Sequence, residues 1–238
     1  MTIVANPDKR PDRIATMFDA IAPRYDLLNR VLSAGIDRRW RRKAIESLHL
    51  TGAETVLDVC AGTADVALEA IRGGAAKVLG VDFASAMLAV GRTKVRAAAK
   101  DHAIALAQGD ATRLPVRSSS VDAVTIAFGI RNVERPDAAC AEIARALKPG
   151  GRIAILEFGV PRIPGIGTLY LWYFKYLLPV IGRAVSRHRA AYSYLPASVA
   201  TFPSPDTFCA TLRACGFHEV VTDPLTFGIV CLYTAYKA

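Results

Sequence analysis

Thr55-Val-Leu-Asp-Val-Cys-Ala-Gly-Thr-Ala-Asp65 is the stretch that decides the fold. Its first six residues form a short β-rich run, Ala61-Gly62-Thr63 is a turn, and residues 65–72 carry a helical pattern. Outward from this strand, loop and helix the same unit recurs. Residues 77–81 read as a second strand, Ser85 as the cap of a helix running to about Lys100, and 103–108 as a third strand. Residues 122–127 make a fourth, Pro136 opens a helix to Leu147, Lys148-Pro-Gly-Gly151 stops it, and 152–158 supply a fifth. Strands alternating with helices predict an α/β fold with a parallel sheet. After Phe158 the rhythm yields to a Pro- and aromatic-rich section before a helix around 205–215. The last two strands, 217–222 and 227–236, lie too close for a crossover helix and are predicted to pair as a hairpin at the sheet edge.

Composition bounds what such a sheet can serve. With 238 residues and 52% hydrophobic content the chain can build one substantial core, which excludes disorder. Thirty Lys and Arg against 21 Asp and Glu leave +9, a balance that favours an anionic partner without naming it. Five cysteines at 60, 140, 209, 215 and 231 form an odd set without C-x-x-C, so neither a disulfide framework nor a metal site is indicated. The early charges Asp8, Lys9, Arg10, Asp12 and Arg13 argue against a secretory signal and for a cytoplasmic address. Residues 163–182 are long enough to span a bilayer, but Pro164, Gly165, Gly167, Lys175 and Pro179 break them, leaving a core or interfacial helix.

In an open parallel sheet the ligand sits beyond the carboxyl ends of the strands, where a glycine lets it approach the backbone. Here the loop after the first strand has Gly62 alone, so the G-x-G-x-x-G that seats a pyrophosphate is missing. Asp58, Asp82 and Asp110 each stand at the end of one of the first three strands. Three carboxylates on one rim suit a nucleoside that carries positive charge, and S-adenosylmethionine is such a ligand. Taken singly, each Asp is as readily a turn or helix cap, Asp65 reads as the cap of the first helix, and Thr63 either meets ligand or supports the turn.

These motifs, V-L-D-V-C-A-G-T-A-D, G-V-D-F-A-S-A-M-L, G-D-A-T-R-L-P and L-K-P-G-G-R, resemble those of the class I S-adenosylmethionine-dependent methyltransferases. More specific are F-D-A-I-A-P-R-Y-D-L-L-N-R-V-L-S-A-G-I-D-R-R-W from Phe18 to Trp40, F-G-I-R-N-V from Phe128, and Y-S-Y-L from Tyr192 with Phe202-Pro203. They are similar to the quinone-biosynthesis C-methyltransferases of the menaquinone and ubiquinone pathways. The resemblance implies a Rossmann-like seven-stranded, mostly parallel sheet in the order 3-2-1-4-5-7-6, with helices on both faces and an acceptor-side helical insertion. It implies S-adenosylmethionine as co-substrate, touching Thr63, Asp82, Asp110 and Ala111; with Gly62 of the loop and Asp58, which alternatively orients the loop backbone, these make up the expected cofactor site. It also implies a polyprenylated hydroquinone as acceptor, demethylmenaquinol in the first place and the ubiquinone precursor as the alternative. The domains are then 1–50 as a helical cap, 51–160 as the cofactor-binding core, 161–204 as an aromatic and basic insertion, and 205–238 as the closing helix and hairpin. Asp37, Ala127, Ala146, Gly159 and Ala197 depart from the His, Ser, Val, Ser and Glu that the family commonly carries.

Methyl transfer to a ring carbon needs a phenol-like hydroxyl to lose its proton, so the site calls for a base and a stabiliser of the oxyanion. Arg131 and Asn132, after the fourth strand, suit the oxygen that gains charge. Arginine does not accept protons, which leaves a water, Asp110, His188 or a tyrosine as base. Tyr25, Tyr192 and Tyr194 are expected to line the acceptor pocket, against the plainer reading of aromatic core. The run Arg38-Arg39-Trp40-Arg41-Arg42-Lys43 has the composition of a nucleic-acid contact or a solvated helix face. A lipid-borne acceptor favours a third reading, in which this run and the cations between Arg162 and Arg189 hold the chain against an anionic membrane. No nucleic-acid partner is expected, and a homodimer is left open.

Overall fold

The structure, a computed structural model, describes residues 7–161, 163, 165, 167, 172 and 189–238. Its strands are β1 (Thr55–Val59), β2 (Lys77–Asp82), β3 (Ile104–Gln108), β4 (Val121–Ala127), β5 (Leu147–Phe158), β6 (Phe217–Leu225) and β7 (Val230–Lys237). They form one sheet in the order β3-β2-β1-β4-β5-β7-β6, as expected, with β7 antiparallel to both neighbours and the other pairings parallel. The helices are α1 (Pro11–Ile21), α2 (Tyr25–Leu32), α3 (Asp37–Glu46), α4 (Asp65–Arg72), α5 (Ser85–Ala97), α6 (Pro136–Ala146), α7 (Arg189–Thr201) and α8 (Pro205–Ala214).

Both sheet faces are covered, which is why β1 and β4 are apolar almost throughout rather than alternating. On one face Leu57, Val59, Ile126 and Ile155 pack against Ile143 of α6 and Phe208 and Leu212 of α8. On the other, Val56, Val78, Ala154 and Leu156 meet Trp40 and Ile45 of α3 and Ala67 and Ala70 of α4. Burying a side chain such as Leu57 or Ile155 contributes about 1.5–3 kcal/mol, so this double layer fixes the strand ends from which the site is built.

Several local readings are corrected. Strand β5 starts at Leu147, and Lys148-Pro-Gly-Gly151 is an irregularity inside it: the register to β4 jumps from Val121↔Leu147 to Ala123↔Arg152. Strand β7 starts three residues late because Thr226, Phe227 and Gly228 form a tight turn with positive φ. Neither Ser85 nor Asp65 caps its helix; Ala84 and Ala64 hold those positions without side-chain bonds. The carboxylate of Asp19 in α1 accepts the Ala86 N–H at 2.8 Å instead, serving the α5 N-terminus from another element. The outer strand β6 carries a register break between His218 and Val221 and a proline at 224. Among the described residues no helix is long and apolar enough to cross a membrane, and none of the five cysteines is bonded to another.

Candidate active site

The strand order reverses between β1 and β4, opening a crevice at their carboxyl ends. In the loop that follows β1, Cys60, Gly62 and Ala64 all take left-handed backbone, at φ of 58°, 53° and 65°. The Gly62 N–H donates to Asp82 Oδ2 and the Ala84 N–H to Asp82 Oδ1, both at 2.8 Å. Asp82 therefore clamps two loops, and each oxygen keeps a second lone pair for another donor. Burial pushes its carboxyl up, against the pull of the Ala84, Gly62 and Phe83 amides. Gly129, beyond β4, has no room for a side chain: a Cβ there would stand 2.4 Å from Cys60 Cβ.

The other two rim carboxylates differ in setting. Asp58 is 1% exposed and lies under the loop; its Oδ1 accepts the Thr125 hydroxyl at 2.9 Å and its Oδ2 has no hydrogen-bond partner among the described residues. Burial pushes this carboxyl up to about 7. Asp110 is exposed and closes a turn on itself, accepting the Thr112 N–H at 2.7 Å and hydroxyl at 2.8 Å, with Ala111 buried behind it. The Cys60 thiol is raised by burial and then by the charges of Asp82, Asp58, Glu157 and Asp110. The mouth of β1 is thus a region of negative potential.

Thr63 is joined to residues that the sequence did not single out. Its hydroxyl donates to Asp26 of α2 at 2.6 Å, and Lys94 of α5 donates to Asp26 at 2.6 Å and to the Thr63 oxygen at 3.1 Å. Lys94 also pairs with Asp65, whose other oxygen takes Arg41 of α3 at 2.9 Å; Arg41 in turn holds Asp37 at 2.9 Å. The chain of charges runs Asp37, Arg41, Asp65, Lys94, Asp26, Thr63, and ties the N-terminal helices to the loop. Asp37 works here as an anion for Arg41. In α3 the basic run splits by helical period: Trp40 and Arg41 are buried while Arg38, Arg39, Arg42 and Lys43 face solvent. Trp40 points inward, its indole N–H donating to Thr226 at 2.8 Å, so it is no platform for a base.

On the far side of the crevice the 3-10 turn Ile130–Asn132 carries Arg131 and Asn132, two of the three residues expected to be catalytic, buried at 6% and 5% exposure. Arg131 Nη1 donates to Glu157 at 2.7 Å and to the Phe128 carbonyl at 2.5 Å, and Asn132 Nδ2 reaches that same carbonyl at 3.3 Å. The guanidinium lies over the Phe158 ring, 5.3 Å from its centre. Arg131 Nε, Asn132 Oδ1 and the Tyr194 hydroxyl are buried and find no partner among the described residues. Burial raises Tyr194 to about 12, and both Arg131 and Glu157 act on it, which puts α7 beside the turn. Tyr25 is also raised by burial, with its hydroxyl bonded to Asn29 and Arg131 in range; Lys9 is lowered by burial and by Arg131. His188 and the side chain of Tyr192 lie outside the described residues. Glu157 was legible only as an acid in the apolar run Ala154-Ile-Leu-Glu-Phe158.

Residues 6–237 match the model of the ubiE/COQ5 methyltransferase family. The chain belongs to that family. It is 47% identical over 231 residues to the ubiquinone/menaquinone biosynthesis C-methyltransferase UbiE of Geobacter sp. strain M21, covering 96% of this chain and 98% of the relative. It is 42% identical to the demethylmenaquinone methyltransferase of Streptomyces avermitilis, over 98% of both chains. Among solved structures, the [4+2]-cyclase SpnF superposes with a TM-score of 0.71 at 20% identity, over 95% of this chain and 96% of that one. Phosphoethanolamine N-methyltransferase 2 of Haemonchus contortus, solved with S-adenosyl-L-methionine, gives 0.62 at 18% identity, over 83% and 52%. These two likenesses are of fold alone; a methyltransferase and a cyclase on one scaffold show how little the scaffold fixes the reaction.

Proposed function

We propose that this ubiE/COQ5-family methyltransferase carries a methyl group from S-adenosylmethionine to a ring carbon of a reduced isoprenoid quinone precursor, demethylmenaquinol first. The observation that carries the reading is the pairing of two unlike halves in one crevice. The β1 mouth gathers the negative charge of Asp58, Asp82 and Asp110 around Cys60, which fits a sulfonium cation. Across from it Arg131 Nε, Asn132 Oδ1 and the Tyr194 hydroxyl wait unpaired, which fits a polar oxygen on an otherwise apolar ring.

When bound, the co-substrate supplies an electrophilic methyl. Asp82 and the Gly62–Thr63 backbone would hold its sugar and amino-acid parts, with Asp110 and Ala111 at the adenine side. Arg131 and Asn132 face the acceptor oxygen as it ionises, and a phenol-like hydroxyl with a pKa of about 10 gains most from such a cation. Tyr25 and Tyr194 line the ring, the N-terminal helices α1–α3 and helix α7 cap the core built on β1–β5, and α8 with β6 and β7 completes the sheet; most of the 161–204 insertion lies outside the described residues. The joint naming of the Geobacter relative for both quinones keeps the ubiquinone precursor as a second acceptor. Purified chain incubated with labelled S-adenosylmethionine and a panel of reduced demethylated naphtho- and benzoquinones should yield a C-methylated naphthoquinol by mass spectrometry. Transfer to no reduced quinone would end this reading.

A lipid-borne acceptor also places the chain at a membrane in this proposal, on the cytoplasmic face. Leu27 and Val31 of α2, Val160 and Ile163 after β5, and Phe227 in the turn before β7 are exposed apolar side chains, and Arg30 of α2 and Arg38 and Arg39 of α3 are exposed cations; most of the cations between Arg162 and Arg189 lie outside the described residues. Apolar insertion beside basic charge is the pattern of peripheral membrane binding. Co-sedimentation should rise with the anionic lipid content of vesicles and fall with salt; indifference to both defeats it.

A further inference from the structure

Glu157, at the end of β5, is fully buried, and two of the three hydrogen bonds it accepts among the described residues come from Arg131, one from its side chain and one from its backbone. Oε1 takes Arg131 Nη1 at 2.7 Å and the Phe158 N–H at 2.8 Å, and Oε2 takes the Arg131 backbone N–H at 3.1 Å. An arginine meant only to neutralise a buried acid presents its planar fork, two nitrogens to two oxygens. Arg131 gives Glu157 one nitrogen, and its Nε–H is buried without a partner among the described residues, as is Asn132 Oδ1. A buried pair contributes little to stability on balance and is readily replaced by apolar residues, so this single-point contact calls for another reason.

We propose that Glu157 is the positioning residue of the methyl-transfer reaction: it fixes Arg131 by side chain and backbone so that Nε–H meets the acceptor hydroxyl, and its charge limits how strongly Arg131 draws the proton off. The inference rests on the function proposed above. The other titratable groups facing the pair are Lys9 ahead of α1, Tyr25 of α2, Cys60 of the β1 loop, Tyr194 of α7 and Tyr233 of β7. Removing the negative charge of Glu157 leaves the guanidinium uncompensated, so the acceptor ionises at lower pH.

Initial rates against pH, with purified full chain, S-adenosylmethionine and a short-chain reduced demethylnaphthoquinone, test this. Glu157→Gln should lower kcat about 100-fold with KM for S-adenosylmethionine unchanged, and move the rising limb of the kcat profile about one unit toward acid. The shift should persist when Lys9→Met is added. Glu157→Asp keeps the charge but withdraws it by one methylene; kcat should fall while the limb stays in place. Wild-type kcat in either folded variant overturns the proposal, and so does a lower kcat in Glu157→Gln with the limb unmoved, which leaves Glu157 a merely structural acid. Should Glu157→Gln fail to fold, Glu157→Asp decides alone by its kcat. If the unaltered chain methylates no reduced quinone, the proposed function fails instead.

Discussion

Arg131 and Asp58 are buried ionisable residues with opposite demands. Arg131 is matched by Glu157, and removing the guanidinium would strand that carboxylate at a cost of about 3–5 kcal/mol. Arg131→Lys keeps the charge and loses Nε–H, so the chain should stay folded while kcat drops about 100-fold and S-adenosylmethionine affinity by calorimetry holds. Asp58 has no hydrogen-bond partner on its second oxygen among the described residues. Its carboxyl is lifted by burial from near 4 to about 7, so the folded chain holds a proton that the unfolded chain releases across that window. Stability from this group therefore falls as pH rises from about 4 to 7 and is lowest above it. Asp58→Asn keeps an acceptor for Thr125 and should raise Tm at pH 8 by about 2–4 °C for each kcal/mol relieved, with no gain at pH 4. An equal change at both pH values would show the carboxyl is not the cause.

At the level of elements, the tightest constraint is the approach of the β4 exit to the β1 loop. Gly129→Ala puts a methyl 2.4 Å from Cys60 Cβ, and with both backbones held by the sheet the expected loss is about 1–3 kcal/mol. Cys60 is itself left-handed, so Cys60→Gly removes both the clash and the strain, and the double variant should recover most of the Tm lost by Gly129→Ala. Strand and helix identities here were readable from period, because alternation and 3.6-residue spacing are properties of one segment. The rim acids at 58, 82 and 110 were readable too, from their place at strand ends. What period cannot carry is pairing across distance: Asp26 meets Lys94 and Asp19 meets the α5 N-terminus over tens of residues, so these links were invisible and Ser85 and Asp65 were read as caps. The start of β5 was misplaced for a related reason, since Pro149-Gly-Gly151 is a turn signal that partner strand β4 overrides with a shifted register.

For the whole molecule, two carboxyls at opposite ends of the strands pull stability in opposite directions with pH. At the N-terminal edge of the sheet Glu54 accepts the N–H groups of Thr51, Gly52 and Ala53 and a bond from Arg152. Although burial pushes it up, those donors hold it at about 2, so its contribution is complete above about 4.5 and is lost as pH falls toward 2. With Asp58 weakening the fold toward neutral pH, Tm against pH should peak in the mildly acidic range. Glu54→Gln should lower that peak and flatten its acid side, while a profile still rising at pH 8 would contradict the pair. Finally, the outermost strand bears on how copies of this chain can associate. A proline that lacks a donor and a slipped pairing near His218 leave that border without an even row of free amides. A neighbouring protomer is thereby denied a regular template for lengthening the sheet on the β6 side, and the aggregation route open to bare strands is narrowed along this border, leaving β3 as the opposite edge.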